Sequence, residues 1–198
     1  MIILLEGCDK AGKSTLVKGL KEMFPESVVF KNMIKPEDKL QSTIGRTAGI
    51  YLGSYQFAQQ IQREGNTFHT IFDRGHLTEI VYSHRRGYES TKHIDWIHYE
   101  RELLSQNAII VYAHAPANVI KERFKTDKET YVDEKEIEGI LERYEEYLRI
   151  TKIPVVRISS LNDNKSNLAM LFNFINNQYN IWTSAKNEMN ESKEINLK

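Results

Sequence analysis

The sequence has little cysteine, no excess of positive charge and no long apolar run, and each shortage removes a class of protein. One cysteine, Cys8, stands among 198 residues, so neither an internal disulfide nor a cysteine-rich zinc site can form. Lys plus Arg number 27 and Asp plus Glu number 27. Proteins that grip DNA or RNA along many phosphates carry a basic excess; its absence argues against a nucleic-acid polymer as partner and leaves room for one nucleotide in one pocket. The six histidines show no paired helical spacing of the metalloprotease kind. No apolar stretch reaches membrane-spanning length, and the run at residues 2–5 is too brief for a signal peptide. The expectation is a cytoplasmic protein with no membrane contact. A chain of 198 residues, 40% of them hydrophobic, holds one full core and is short for two.

What is present alternates between strand and helix patterns. Residues 2–5 are wholly apolar, as a buried parallel strand requires. A helix is expected over 13–24, closed by Pro25, then a short strand at 28–30 and a polar loop at 32–41. Residues 49–64 read as a helix with Tyr51, Tyr55, Phe57, Ala58 and Ile61 on its apolar faces. Strands follow at 68–72, 108–113 and 154–158, with helices at 76–86, 93–105 and 165–179. Such alternation implies right-handed crossovers and a parallel sheet covered on both faces. The expected fold is therefore α/β, a three-layer sandwich around a mostly parallel sheet of five strands. Residues 1–182 form the domain, and the polar segment 183–198, which lacks aromatics, is expected to be a frayed tail.

Gly7, Cys8, Asp9, Lys10, Ala11, Gly12, Lys13 and Ser14 fit G-x-x-x-x-G-K-[ST] at every fixed position. Glycines let the backbone wrap so that several N–H groups point at one phosphate. The helix starting near Lys13 adds the positive end of its dipole. Lys13 would place a cation between β- and γ-phosphates, and the Ser14 hydroxyl could ligate Mg²⁺. Such a string arises by accident on the order of once per hundred chains of this size; an apolar strand before it and an amphipathic helix after it make accident a poor account. Phosphate-loop proteins include switches and motors as well as kinases. The guanine signature of GTPase switches is missing. Motor ATPases end a later strand in Asp-Glu, the Glu positioning a water, whereas the comparable strand here ends in Asp73-Arg74. An arginine at that place suits a second anionic group, so transfer to an acceptor is favoured over hydrolysis.

The stretch from Leu5 through Glu6, Gly7, the loop, Ser14 and Thr15 to Leu16 resembles the phosphate loop of thymidylate kinases, and Phe72-Asp73-Arg74 resembles that family's Asp-Arg-Tyr motif. The resemblance runs over residues 1–179 in order and spacing. It implies a P-loop NTP hydrolase type of fold and an ATP- and Mg²⁺-dependent transfer to a small nucleotide acceptor, dTMP or a related deoxynucleotide. A homodimer is compatible with it. It places ATP on Gly7 to Thr15, including Lys10 and Ala11, sets Asp9 near the acceptor's 3′-hydroxyl, has Arg74 hold phosphate near the transfer point, and has Asp73 steer Mg²⁺ or a bound water. In the sister family of deoxynucleoside kinases a glutamate in the place of Glu6 acts as base toward a 5′-hydroxyl; a phosphate acceptor, already anionic, needs no such base. Gly75 departs from the pattern by replacing the tyrosine, and no base-pocket signature is plain on the helix carrying Gln56, Gln59, Gln60 and Arg63. Both departures leave open whether the acceptor is a nucleoside or its monophosphate.

The resemblance also places a mobile lid at about 117–132. Arg123, Lys125 and Lys128 stand between two well-specified helices, the second opened by Asp133 with Glu136 three residues on, the pattern of a capping box, and carrying Ile137, Ile140, Leu141, Tyr144, Tyr147 and Leu148 on one face. Glu122, Asp127 and Glu129 balance those cations, so a solvated charged loop is the competing reading. Arg123 is the strongest single candidate there, since its planar fork suits phosphate oxygens or stacking on adenine. Lys10 could add charge to the loop or simply be exposed. Arg85, Arg86 and Tyr88 could line the acceptor side or end a helix. His76 and His84 read as surface or packing residues, Trp96 and Tyr99 as packing, and Cys8 as a filler rather than a nucleophile.

Overall fold

The computed structural model describes residues 1–31, 42–63, 69–82, 96–126 and 132–195. Five strands, β1 (Ile2–Glu6), β2 (Val28–Lys31), β3 (Thr70–Asp73), β4 (Ala108–His114) and β5 (Val155–Ser159), form one sheet in the order β2-β3-β1-β4-β5. Every pairing is parallel. The expectation of a mostly parallel sheet of five strands holds, with no antiparallel member. β1 is central, and the side chains of Ile2, Ile3, Leu4 and Leu5 are fully buried, which is why an unbroken apolar run, rather than alternation, marks this strand. The outer strand β2 has no fully buried residue: its two ends are exposed and its two central residues half-buried.

Seven helices lie among the described residues: α1 (Lys13–Met23), α2 (Ser42–Arg63), α3 (His76–Tyr82), α4 (Trp96–Ser105), α5 (Ala117–Lys125), α6 (Ile137–Ile150) and α7 (Asn164–Ile195). α1 stops at Met23 because Pro25 offers no N–H and drives Phe24 out of the helical region, to φ −127° and ψ 75°. α6 starts at the expected signal: Asp133 accepts from a main-chain N–H within a 3-10 turn at Glu134–Glu136, and the Glu136 carboxylate returns to the Asp133 N–H at 3.1 Å. Ile137, Ile140, Tyr144 and Leu148 form its buried face.

Some expectations are corrected. The last helix does not end near Tyr179 in a frayed tail but continues to Ile195. Residues 183–198 contain no glycine or proline, so nothing breaks the helix, and Lys186 sits over the Trp182 ring one turn back at 4.9 Å. Phe57 is not a core residue of α2; it is 54% exposed and meets Phe30 edge-on. Of the two expectations for His76, packing holds: it is fully buried, it stacks on Trp96, and its ring nitrogens face the Tyr55 hydroxyl at 3.1 Å and the Glu100 carboxylate at 2.9 Å. Trp96 and Tyr99 pack against each other as expected. The loop at 32–41, the strand start at 68, and His84, Arg85, Arg86, Tyr88, Asp127, Lys128 and Glu129 lie outside the described residues. No described helix is long and apolar enough to cross a membrane.

Candidate active site

In a parallel sheet, ligands are met at the carboxyl ends of the strands, and here the last residues of β2 and β3 and the turns that follow β1 and β5 line one cavity of about 790 Å³. The turn after β1 is shaped by two glycines. Gly7 has φ 138°, and a Cβ there would stand 2.2 Å from the Ala113 carbonyl oxygen of β4, so only glycine fits. Gly12 has φ 99° as the residue before α1, and no side chain caps that helix, so its first N–H groups remain for an anion. Lys10 also holds a positive φ, of 62°.

Lys13 is not solvent-facing. It is 7% exposed, and its ammonium donates to the Gly7 and Cys8 carbonyls at 2.8 and 2.7 Å. Burial, with the nearby Arg74 charge, lowers its pKa to about 8. The Ser14 and Thr15 side chains are exposed at the start of α1. Cys8 is buried, and burial pushes its thiol up to about 11. The thiolate that a nucleophile needs is thereby suppressed, as the filler reading requires.

β3 ends in Asp73, and Arg74 follows in the left-handed region at φ 78°, with its N–H donated to the Leu5 carbonyl at 3.0 Å. That strained turn aims the guanidinium at Asp9, and the two side chains form a charge-assisted hydrogen bond. Burial alone would raise the Asp9 pKa, but Arg74 and Lys13 outweigh it and hold the carboxyl below its usual range.

Asp9, Lys10, Ala11, Gly12, Lys13, Ser14, Thr15, Asp73, Arg74 and Arg123 all line the one cavity. Gly7 does not line it and is packed against the Ala113 carbonyl of β4. Glu6 is not among the lining residues. It is fully buried, and its carboxylate accepts from the N–H groups of Leu77 and Thr78 at 3.0 Å each and from the Thr78 hydroxyl at 2.5 Å. Burial pushes its pKa up, and the Thr78 hydroxyl and nearby cations pull the other way. Arg123 spans the cavity wall: it donates to the Lys10 carbonyl at 2.9 Å, to Ser160 Oγ at 2.7 Å and to the Ser160 carbonyl at 3.3 Å. Lys125 is exposed and paired with Glu122 at 2.7 Å.

Sequence reasoning missed Lys31 and the turn after β5. Lys31 ends β2, stands in register with Asp73 and lines the cavity. Ser160, Asn162, Asn164 and Asn167 line its far side. The rule that strand carboxyl ends carry the ligand would have found both places. Among the described residues no cluster of three or more His, Cys, Asp or Glu could hold a metal. The Ser14 and Asp73 side chains, hard oxygen donors on one cavity, fit Mg²⁺, which takes few protein ligands and completes its shell with phosphate and water.

The sequence profile of the AAA domain matches residues 2–163. The chain belongs to the AAA-domain family. Among curated proteins none matches it. Solved structures share the fold. The YorR protein of Bacillus subtilis, in complex with phosphorylated GDP, is 21% identical with a TM-score of 0.65, over 91% of this chain and 98% of its own. A deoxyadenosine kinase from M. mycoides, with products dCMP and a flexible dCDP bound, is 20% identical with a TM-score of 0.56, over 89% and 100%. A thymidylate kinase from Candida albicans is 20% identical with a TM-score of 0.57, over 90% and 92%. The architecture of this family member is thus the one on which nucleoside and nucleotide kinases are built.

Proposed function

We propose that the chain is a nucleotide kinase that transfers the γ-phosphoryl group of ATP to a deoxynucleoside monophosphate, dTMP foremost. The observation that carries this reading is the placement of Arg74 and Lys31 on the same cavity as Lys13. A hydrolysing ATPase needs a carboxylate to position water after the β3 strand. This chain instead offers a guanidinium there and a lysine on the neighbouring strand, a pair suited to an acceptor that brings its own phosphate. The donor would lie over the loop, its phosphates on the N–H groups at the start of α1 and on Lys13. Mg²⁺ held through Ser14 and Asp73 would neutralise charge on the phosphate oxygens. Arg74, preset by Asp9, would need no reorganisation as charge shifts during transfer.

The engaged state of Glu6 weighs against the rival reading, a deoxynucleoside kinase with Glu6 as base. Its three donors all come from α3, and it does not reach the cavity. ADP release with ATP and Mg²⁺, measured across nucleosides and monophosphates, tests the proposal. dTMP should stimulate release well above thymidine, and Lys13→Ala should abolish it while far-UV circular dichroism stays native. Stimulation by thymidine and not by dTMP would transfer the assignment to the rival. Nucleotide binding with no stimulation by any acceptor would point to a non-enzymatic binding protein.

A further inference from the structure

The phosphate loop rests on a tyrosine that the proposed chemistry does not use. Tyr144 on α6 is fully buried, and its hydroxyl donates to the Gly7 carbonyl at 3.2 Å. That carbonyl is also one of the two on which the Lys13 ammonium rests. Thr78 Oγ1 lies 2.9 Å from the same hydroxyl, and Thr78 gives its own proton to Glu6, so Tyr144 supplies one proton to two acceptors. On its other side Gly7 is pressed against β4, where no Cβ would fit beside the Ala113 carbonyl. The first peptide of the loop is therefore gripped between a strand and the Tyr144 hydroxyl. The grip is itself anchored: Arg143 donates to the Val81 carbonyl of α3 at 3.1 Å, and Lys121 of α5 pairs with Glu138 of α6 at 2.8 Å.

We propose that Tyr144 is a positioning residue for the donor triphosphate: its hydroxyl fixes the Gly7 carbonyl, which sets where Lys13 and the loop N–H groups stand. The role rests on the kinase reading only for its kinetic consequence; donor binding tests it directly. A buried hydroxyl without a catalytic duty could equally be replaced by a better-packed apolar group, but this one meets the single peptide whose direction sets the loop. The Tyr144→Phe variant keeps the ring, which packs on Tyr112 and Tyr82, and leaves the Glu6 and Thr78 cap on α3 intact. The Gly7 carbonyl and Thr78 Oγ1 lose the proton they share, while Thr78 keeps its own proton on Glu6.

The experiment is equilibrium titration of wild type, Tyr144→Phe and Tyr147→Phe with ATP and Mg²⁺, beside thermal unfolding and steady-state kinetics. Tyr144→Phe should bind ATP roughly three- to tenfold more weakly, the factor one hydrogen bond is worth, with the KM for ATP raised to match, the acceptor KM unchanged and the Tm close to wild type. Tyr147→Phe, on the same helix, should leave ATP affinity unchanged. Wild-type ATP affinity in Tyr144→Phe would overturn the proposal, as would a loss shared by donor and acceptor together with a lowered Tm, which is the mark of a packing defect. A wild type that binds ATP but phosphorylates no acceptor would defeat the kinase reading, and the two dissociation constants would still decide the role of Tyr144.

Discussion

Glu6 shows how a single carboxylate is read differently once its partners are visible. In the sequence it stands before a phosphate loop, where an acid invites a catalytic role. In the fold it is absent from the cavity lining and satisfies the first N–H groups of α3, which would otherwise be orphaned. The same carboxylate explains Gly75. A Cβ at that position would lie 2.7 Å from Glu6 Oε1 and 3.2 Å from the Tyr55 hydroxyl, so the tyrosine of the Asp-Arg-Tyr pattern cannot be housed while Glu6 and Tyr55 fill the space. Glu6→Gln presents an N–H group to the main-chain donors of α3 and should therefore lower the unfolding free energy by about 1–3 kcal/mol. The kcat of the folded variant should fall by much less than the roughly 10²–10⁴-fold that a positioned base contributes. Denaturant melts read beside initial rates check this, and a base-sized loss of kcat at unchanged stability would return Glu6 to the chemistry.

At the scale of elements, much of the chain was legible because the signals were local. The wholly apolar run of β1, Pro25 after α1, and the Asp133–Glu136 capping box each state a boundary within a few residues. What was not legible depends on partners far along the chain. Lys31 acquires meaning only when β2 pairs with β3, and the asparagine-bearing turn only when β5 takes its place beside β4. Arg123, a candidate from the sequence, lines the cavity, and its observed bonds join the Lys10 carbonyl to the turn at Ser160. As a bracket between two walls, it should act on donor binding and on stability together. Arg123→Ala should lower the unfolding free energy by about 1–3 kcal/mol and weaken ATP binding, with Arg123→Lys restoring part of both, because one nitrogen, Nη1, makes the bonds to both walls and only the longer bond to the Ser160 carbonyl needs the second arm of the fork. A loss confined to kcat, with the melting curve unmoved, would instead make Arg123 a cation on the transferring phosphate.

For the whole molecule, zero formal net charge means that a polyanion is recognised by a local field rather than drawn in by the surface at large. That field has a pH dependence set by Lys13. The groups facing it are Arg74, Asp9, Cys8 and Asp73; Arg74 stays charged, Asp9 is ionised, and Cys8 stays neutral up to about 11. In the free protein Lys13 loses its proton near pH 8, against 10.5 for an ordinary lysine. Between those values the unfolded chain binds the extra proton, so this group disfavours folding below pH 8 and the penalty is relieved as pH rises from 8 to 10.5. A bound triphosphate reverses the balance by favouring the ammonium, and binding must then take up a proton above pH 8. ATP affinity should be flat below that pH and weaken above it, approaching about tenfold per pH unit. Calorimetric titrations at several pH values, in buffers of different ionisation enthalpy, would register the uptake directly, and Lys13→Met should remove it along with most of the affinity. Constant affinity from well below to well above that pH, with no buffer dependence, would mean that Lys13 is already fully charged in the empty loop and that its two carbonyl partners compensate its burial.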